Sequence, residues 1–168
     1  MRRDRDLAGR PRNARPRDAL GRPLDRASGE GGERIPDDLA LAGADAAALA
    51  DQLLRAGRPF HAHEVLEASW KSAPPRERDL WQGLAQVAVG LTHAQRGNAR
   101  GAVALLRRGA QRVREYQGQA ASPPGRDHPY GIEIAAFLAG SDDLAARIDR
   151  DGLAGIPAAD LRPGLVNP

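Results

Sequence analysis

The stretch Phe60-His61-Ala62-His63-Glu64-Val65-Leu66-Glu67-Ala68-Ser69-Trp70 sets two carboxylates and a histidine among large apolar side chains. A helix advances about 100° per residue, so His63 and Glu67 fall one turn apart on a single face, with Glu64 beside them. Phe60, Leu66 and Trp70 border this polar group, which places it at the edge of a core or inside it. An unpaired carboxylate in an apolar setting is costly. The cluster therefore calls for a partner.

A second helical stretch can supply one. From Trp81 to Gln95 the chain carries no charged residue, and Leu84, Val87, Ala88 and Leu91 form one broad apolar face. A helix that is apolar on most sides belongs in the middle of a domain. Its polar side chains Gln82, Gln86 and His93 fall within roughly 40° of one another on the helical wheel. Gly83 and Gly90 flank that stripe and would admit a close neighbour. The neighbour expected from chain order is the helix bearing His63, Glu64 and Glu67.

Two chemistries fit such a constellation. One is a metal centre with His63, Glu67 and His93 as ligands and Glu64 as general base. Imidazole and carboxylate together suit Zn, Mn or Fe(II) better than Ca or Mg. The other is a buried hydrogen-bond network of His, Glu and Gln that fixes helix register and needs no ligand. His63-Glu64-Val65-Leu66-Glu67 resembles the zincin H-E-x-x-H, but Glu67 stands where the second ligand histidine is required. Di-iron bundles repeat Glu-x-x-His, and no second copy occurs here. The chain has no P-loop, no dinucleotide fingerprint and no G-x-S-x-G elbow. Ser69 lies about half a turn from the His63/Glu67 side, which argues against a serine triad. His61 points away from that side and is expected in solvent; His128, in a Pro-rich loop, is expected at the surface.

The elements that must position these residues are helical. Apolar spacing predicts a first helix over about Ala44–Ala56, stopped by Gly57. Pro59 suits the first turn of a second helix running to about Ser72. Pro74-Pro75 ends it and starts a third, from about Pro75 to Arg96, with Gly97 as its cap. Asn98 is a good N-cap for a fourth helix to about Gln117. Two shorter helices are expected over about Gly131–Leu138 and Asp142–Arg150, the latter capped by Ser141, and the end from Gly155 is expected to be irregular. Short connections make the helices antiparallel neighbours, so the fold class is an all-α bundle of about four main helices. No β-type alternation is visible.

Composition narrows the function classes. The 168 residues suffice for one domain, and breakers (19 Gly, 13 Pro) crowd the two ends. The chain divides into a flexible Arg/Pro/Gly-rich arm (1–34), a helical domain (35–153) and an irregular tail (154–168). With no cysteine there is no disulfide, thiolate metal site or cysteine nucleophile. No signal peptide and no membrane-length apolar run appear, so a soluble cytoplasmic protein is expected. Residues 1–34 hold ten Arg and six acids, which accounts for the whole net charge of +3. The interspersed acids and the lack of stacking aromatics argue against a nucleic-acid partner. A small-molecule substrate or a protein partner remains.

The motifs together resemble a known family. Gly57-Arg58-Pro59-Phe60-His61-Ala62-His63-Glu64-Val65-Leu66-Glu67-Ala68-Ser69-Trp70, then Trp81-Gln82-Gly83-Leu84-Ala85-Gln86, His93 and Gly97-Asn98-x-x-Gly101-Ala102 resemble the bacterial and archaeal family called domain of unknown function 309. The resemblance covers about Ala44–Arg114. It implies a small all-helical fold and the label of predicted metal-dependent hydrolase. It also implies roles for His63, Glu64, Glu67, Trp70, Gln86, His93, Asn98 and Gly101.

Overall fold

The computed structural model describes residues 17–18, 20–24, 41–119 and 128–166. Five α-helices make an all-α bundle: α1 Gly43–Arg55, α2 Pro59–Ser72, α3 Arg78–Gln95, α4 Ala99–Gly118 and α5 Ile134–Asp151. Among the described residues there is no strand, only the isolated bridges Arg17–Pro23 and Ile132–Val166. Expectations for residues 1–16 and 25–40, and for the Pro-rich loop at 122–127, fall outside the described residues.

The chain's punctuation acts where it stands. Gly57 and Gly97 take φ of 71° and 79° and close α1 and α3, with Arg58 N–H donating to Leu53 O and Asn98 N–H to His93 O. Pro59 opens α2 at its first turn. The Asn98 Oδ1 accepts the Gly101 N–H at 2.9 Å and caps α4. A short 3-10 turn, Pro75–Glu77, leads into α3.

Each helix packs chiefly on its neighbours in sequence, and the α3–α4 contact is the most extensive. Glycines explain that closeness. A Cβ at Gly83 would come within 2.7 Å of Gly109 O, and one at Gly109 within 2.6 Å of Gly83 O. The small residues of α3 therefore admit α4, not α2 as chain order suggested. Leu84, Val87, Ala88 and Leu91 are buried, so α3 is central. The ring of Trp81 is buried with them.

The end of the bundle differs from its sequence expectation. A single helix, α5, replaces the two short ones, and Ser141 lies buried inside it instead of capping a new one. Ile134, Phe137, Leu138, Ser141, Leu144, Ala145 and Ile148 are its buried positions. That i, i+3, i+4 spacing runs unbroken through Gly140-Ser141. One apolar stripe outweighs a helical glycine, which costs only about 1 kcal/mol.

After α5 the chain is irregular apart from 3-10 turns at Leu153–Gly155 and Ala158–Leu161, and it returns to α1. Asp51, 6% exposed, receives the backbone N–H of Leu165 at 2.5 Å and of Val166 at 3.1 Å on Oδ1. Its Oδ2 accepts Arg55 Nε at 2.8 Å, and Arg55 Nη2 donates to Val166 O. Leu165 is buried in the core.

Candidate functional site

His63, Glu64 and Glu67 are half-buried on α2, on the flank opposite Ala62, Val65 and Leu66, which enter the core. Glu67 is shared between two neighbours on its own helix. His63 Nε2 lies 3.7 Å from Oε2, and Lys71 Nζ lies 2.9 Å from Oε1. Burial holds the His63 pKa below the ordinary histidine value; Glu67 pulls it up and Lys71 pushes it down. Its Nδ1 is buried and makes no hydrogen bond.

His93, near the end of α3, belongs to a different corner. Its Nδ1 is 2.7 Å from Asn98 Nδ2, and that amide's oxygen caps α4. Gln82 and Gln86 are half-buried along the edge of α3, and Gln86 Oε1 has no hydrogen-bond partner. Trp70 packs against the core from α2. Among the described residues no group of three or more His, Cys, Asp or Glu side chains is gathered to hold a metal ion. The donor set His63, Glu67 and His93 is not gathered into such a group: Lys71 Nζ pairs with Glu67, and His93 Nδ1 contacts Asn98 at the α3–α4 corner.

His61 reverses its expectation. It is 3% exposed, its Nδ1 has no partner, and burial, with help from Arg58, lowers its pKa. The aliphatic residues Ala62, Val65 and Leu66 set the inner face of α2, and His61 lies at the border of that face. Placing the core beside His63 and Glu67 sends His61 outward; placing it beside the aliphatics brings it in. His128 is exposed, 3.1 Å from Glu133 Oε2.

Two features were not visible from motifs. The first is a turn of the N-terminal arm laid over α2. Asp18 Oδ1 accepts the N–H groups of Leu20 at 2.9 Å and Arg22 at 2.7 Å, and Arg17 Nη1 donates to Gly21 O. The Arg17 guanidinium lies 5.5 Å from the centroid of the Phe60 ring. Gly21, at φ 71°, is pressed against that ring so tightly that a Cβ would overlap it. Arg96 donates to Leu20 O through Nε at 2.8 Å and also through Nη2. The sequence signal was present in Asp18-Ala19-Leu20-Gly21, a turn-forming composition.

The second is an aromatic corner where α1, α2 and α3 meet. Tyr130, a non-glycine residue at φ 59°, donates its hydroxyl to Glu77 Oε2 at 2.7 Å. Its ring lies 5.4 Å from that of Trp81 and covers Gly43. Burial, then the Glu77 hydrogen bond, pushes the Tyr130 pKa up to about 12. Ser69 and Ser72 line the adjoining cavity of about 150 Å³. No spacing rule links a tyrosine in a Pro-Tyr-Gly loop to a residue 53 positions earlier.

Comparison with known proteins follows the same helices. Residues 48–105 match the family described as "Domain of unknown function (DUF309)". The "Uncharacterized protein YpuF" of Bacillus subtilis (strain 168) is 37% identical over 76 residues, 45% of this chain and 43% of that protein. The chain thus matches less than half the length of this curated relative. No solved structure matches. The DUF309-like region of this chain, residues 48–105, holds the end of α1, all of α2 and α3, and the start of α4.

Proposed function

We infer that this chain is a non-catalytic helical interaction module whose α2–α3 face holds a turn-forming peptide segment of a protein partner. The observation that carries this reading is the seating of Arg17, Leu20 and Gly21 on Phe60 and Arg96. A guanidinium over an aromatic face is attractive. A glycine against the ring lets the backbone approach where no side chain fits. Arg96 takes a main-chain carbonyl, which any sequence can offer. Both seat residues lie within 48–105, whereas the turn lies outside it. In this reading the His63–Glu67–Lys71 ladder and the His93–Asn98 pair are architecture.

One observation favours the metal-dependent hydrolase as a second reading. His63 is held toward its neutral form, with an unpartnered ring nitrogen, beside a carboxylate. Neutral imidazole is the form that ligates metal. The two readings differ in a direct experiment on the full chain. A labelled peptide spanning residues 15–25 should bind Gly21→Ala, whose own turn is displaced by strain and overlap. It should bind wild type at least about tenfold more weakly, because the seat is filled in cis. Adding Phe60→Ala to Gly21→Ala should abolish binding. No binding to Gly21→Ala sinks the module reading. Melting temperature should not respond to Zn or Mn against chelator; a rise that Glu67→Gln removes would favour the hydrolase.

A further inference from the structure

A cavity of about 220 Å³ opens between α3, α4 and α5, and neither Phe60 nor Arg96 of the arm's seat lines it. Val87 and Leu91 of α3 and Leu106 of α4, each at most 1% exposed, form its apolar floor, with Leu144 of α5 beside them. It exists because α5 presents Gly140 and Ser141 there. A Cβ at Gly140 would find nothing within 4 Å. Dry apolar cavities of about 150 Å³ take up benzene, so this one has room for a ring with a short substituent.

The mouth is ionic. Arg147 Nη2 holds Asp160 Oδ2 at 2.6 Å, while its Nη1 reaches Asp143 Oδ2 only at 3.5 Å. Two carboxylates against one guanidinium leave the rim with one negative charge in excess. The neighbouring acids of α5 are already held, Asp142 by Arg114 and Asp149 by Arg107. Asp143, with a side chain 66% exposed, is the loosely held carboxylate at the opening. Ser141 adds a hydroxyl to the wall.

We propose that this cavity is a binding site for a small hydrophobic primary ammonium compound. Its apolar body lies in the cavity over Leu91 and Leu106 and against Leu144, and its ammonium group meets Asp143 at the rim. An anionic head would face the excess negative charge and would have to displace Asp160 from Arg147. A neutral head would gain burial but no ion pair. The proposal does not depend on the peptide seat, because the two sites share no residue.

The test is a methyl-resolved NMR titration of the full chain with benzylamine, benzyl alcohol and benzoate. Benzylamine should perturb the methyl signals of Val87, Leu91, Leu106 and Leu144 saturably, and benzoate should bind more weakly than the alcohol. Asp143→Asn should weaken benzylamine by about fivefold, the upper range for a solvent-accessible ion pair, and leave benzyl alcohol unchanged. Ser141→Leu should fill the space and weaken all three probes. If Ser141→Leu fails to fold, the charge ranking on wild type and Asp143→Asn still decides. Absence of saturable shifts with benzylamine would overturn the proposal. So would benzoate binding as tightly as benzylamine, or an Asp143→Asn variant that keeps the amine preference.

Discussion

Lys71 Nζ lies 2.9 Å from Glu67 Oε1, one helical turn after the carboxylate, whose other neighbour, His63, lies one turn before it. The chain's only lysine therefore closes a ladder of alternating groups along the outer flank of α2. Such i, i+4 pairs add a few tenths of a kcal/mol to a helix. Burial dominates the ionisation of the histidine, Glu67 counters it, and the Lys71 cation adds to the opposition to protonating His63.

That effect gives a pH dependence with a definite sign. The folded pKa values of His61 and His63 are both lowered, chiefly by burial. As pH falls through the unfolded histidine value near 6.5, the unfolded chain binds protons that the folded chain refuses. Stability is then complete above that value and declines below it, with a slope of at most about 1.4 kcal/mol per pH unit per histidine. Urea midpoints measured from pH 7.5 to 5.5 should fall, and they should fall less in His61→Asn and in His63→Gln. Lys71→Ala should also flatten the decline, because it removes a group that depresses His63. A midpoint that rises on acidification would contradict this account.

Two glycines separate close packing from open space. Gly83→Ala places a methyl against Gly109 O and Val113, backbone and core that cannot yield. It should cost about 1–3 kcal/mol by overpacking. Gly140→Ala meets no atom within 4 Å and gains helix propensity. It should stabilise by about 0.5–1 kcal/mol. A Gly83→Ala variant as stable as wild type in urea denaturation would mean that α3 and α4 are not in tight contact, and a destabilised Gly140→Ala would mean that the space beside α5 is filled.

Removing the Asp51 carboxylate should free the end of the chain. Asp51→Ala leaves the Leu165 and Val166 N–H groups without their acceptor. Each unpaired buried donor costs about 1–3 kcal/mol, less where water can enter. Hydrogen exchange should accelerate at Leu165 and Val166 while amides inside α3 remain protected. Uniform loss of protection would show that the strap and the core unfold together.

The α2–α3–α4 unit was legible because its boundaries are local chemistry: Gly57 with Pro59, Pro74-Pro75, and Gly97 with Asn98. The same reliance on punctuation misled at Gly140-Ser141, where the buried spacing from Ile134 to Ile148 was the stronger signal. For the candidate site, the sequence offers side chains without naming their partners. Gly83 and Gly90 announce a close neighbour without saying which helix it is, and the Gly83–Gly109 contact reveals α4. His61 inverted because a helix wheel gives relative angles and the core direction must be chosen separately. Tyr130, the arm's turn and the cavity beside α5 depend on contacts between distant segments, for which this sequence offers no periodic pattern.

The order of packing has a kinetic consequence. With α1 on α2, α2 on α3, α3 on α4 and α4 on α5, most of the bundle forms through contacts between adjacent helices, a topology of low contact order that condenses in microseconds to milliseconds. The Asp51–Leu165 bond is among the longest-range exceptions, joining residues 114 positions apart. Its loop-closure entropy is best met once the intervening helices have already packed and brought the end of the chain back to α1. During synthesis, the first four helices are free to assemble before the residues that lock them have been made.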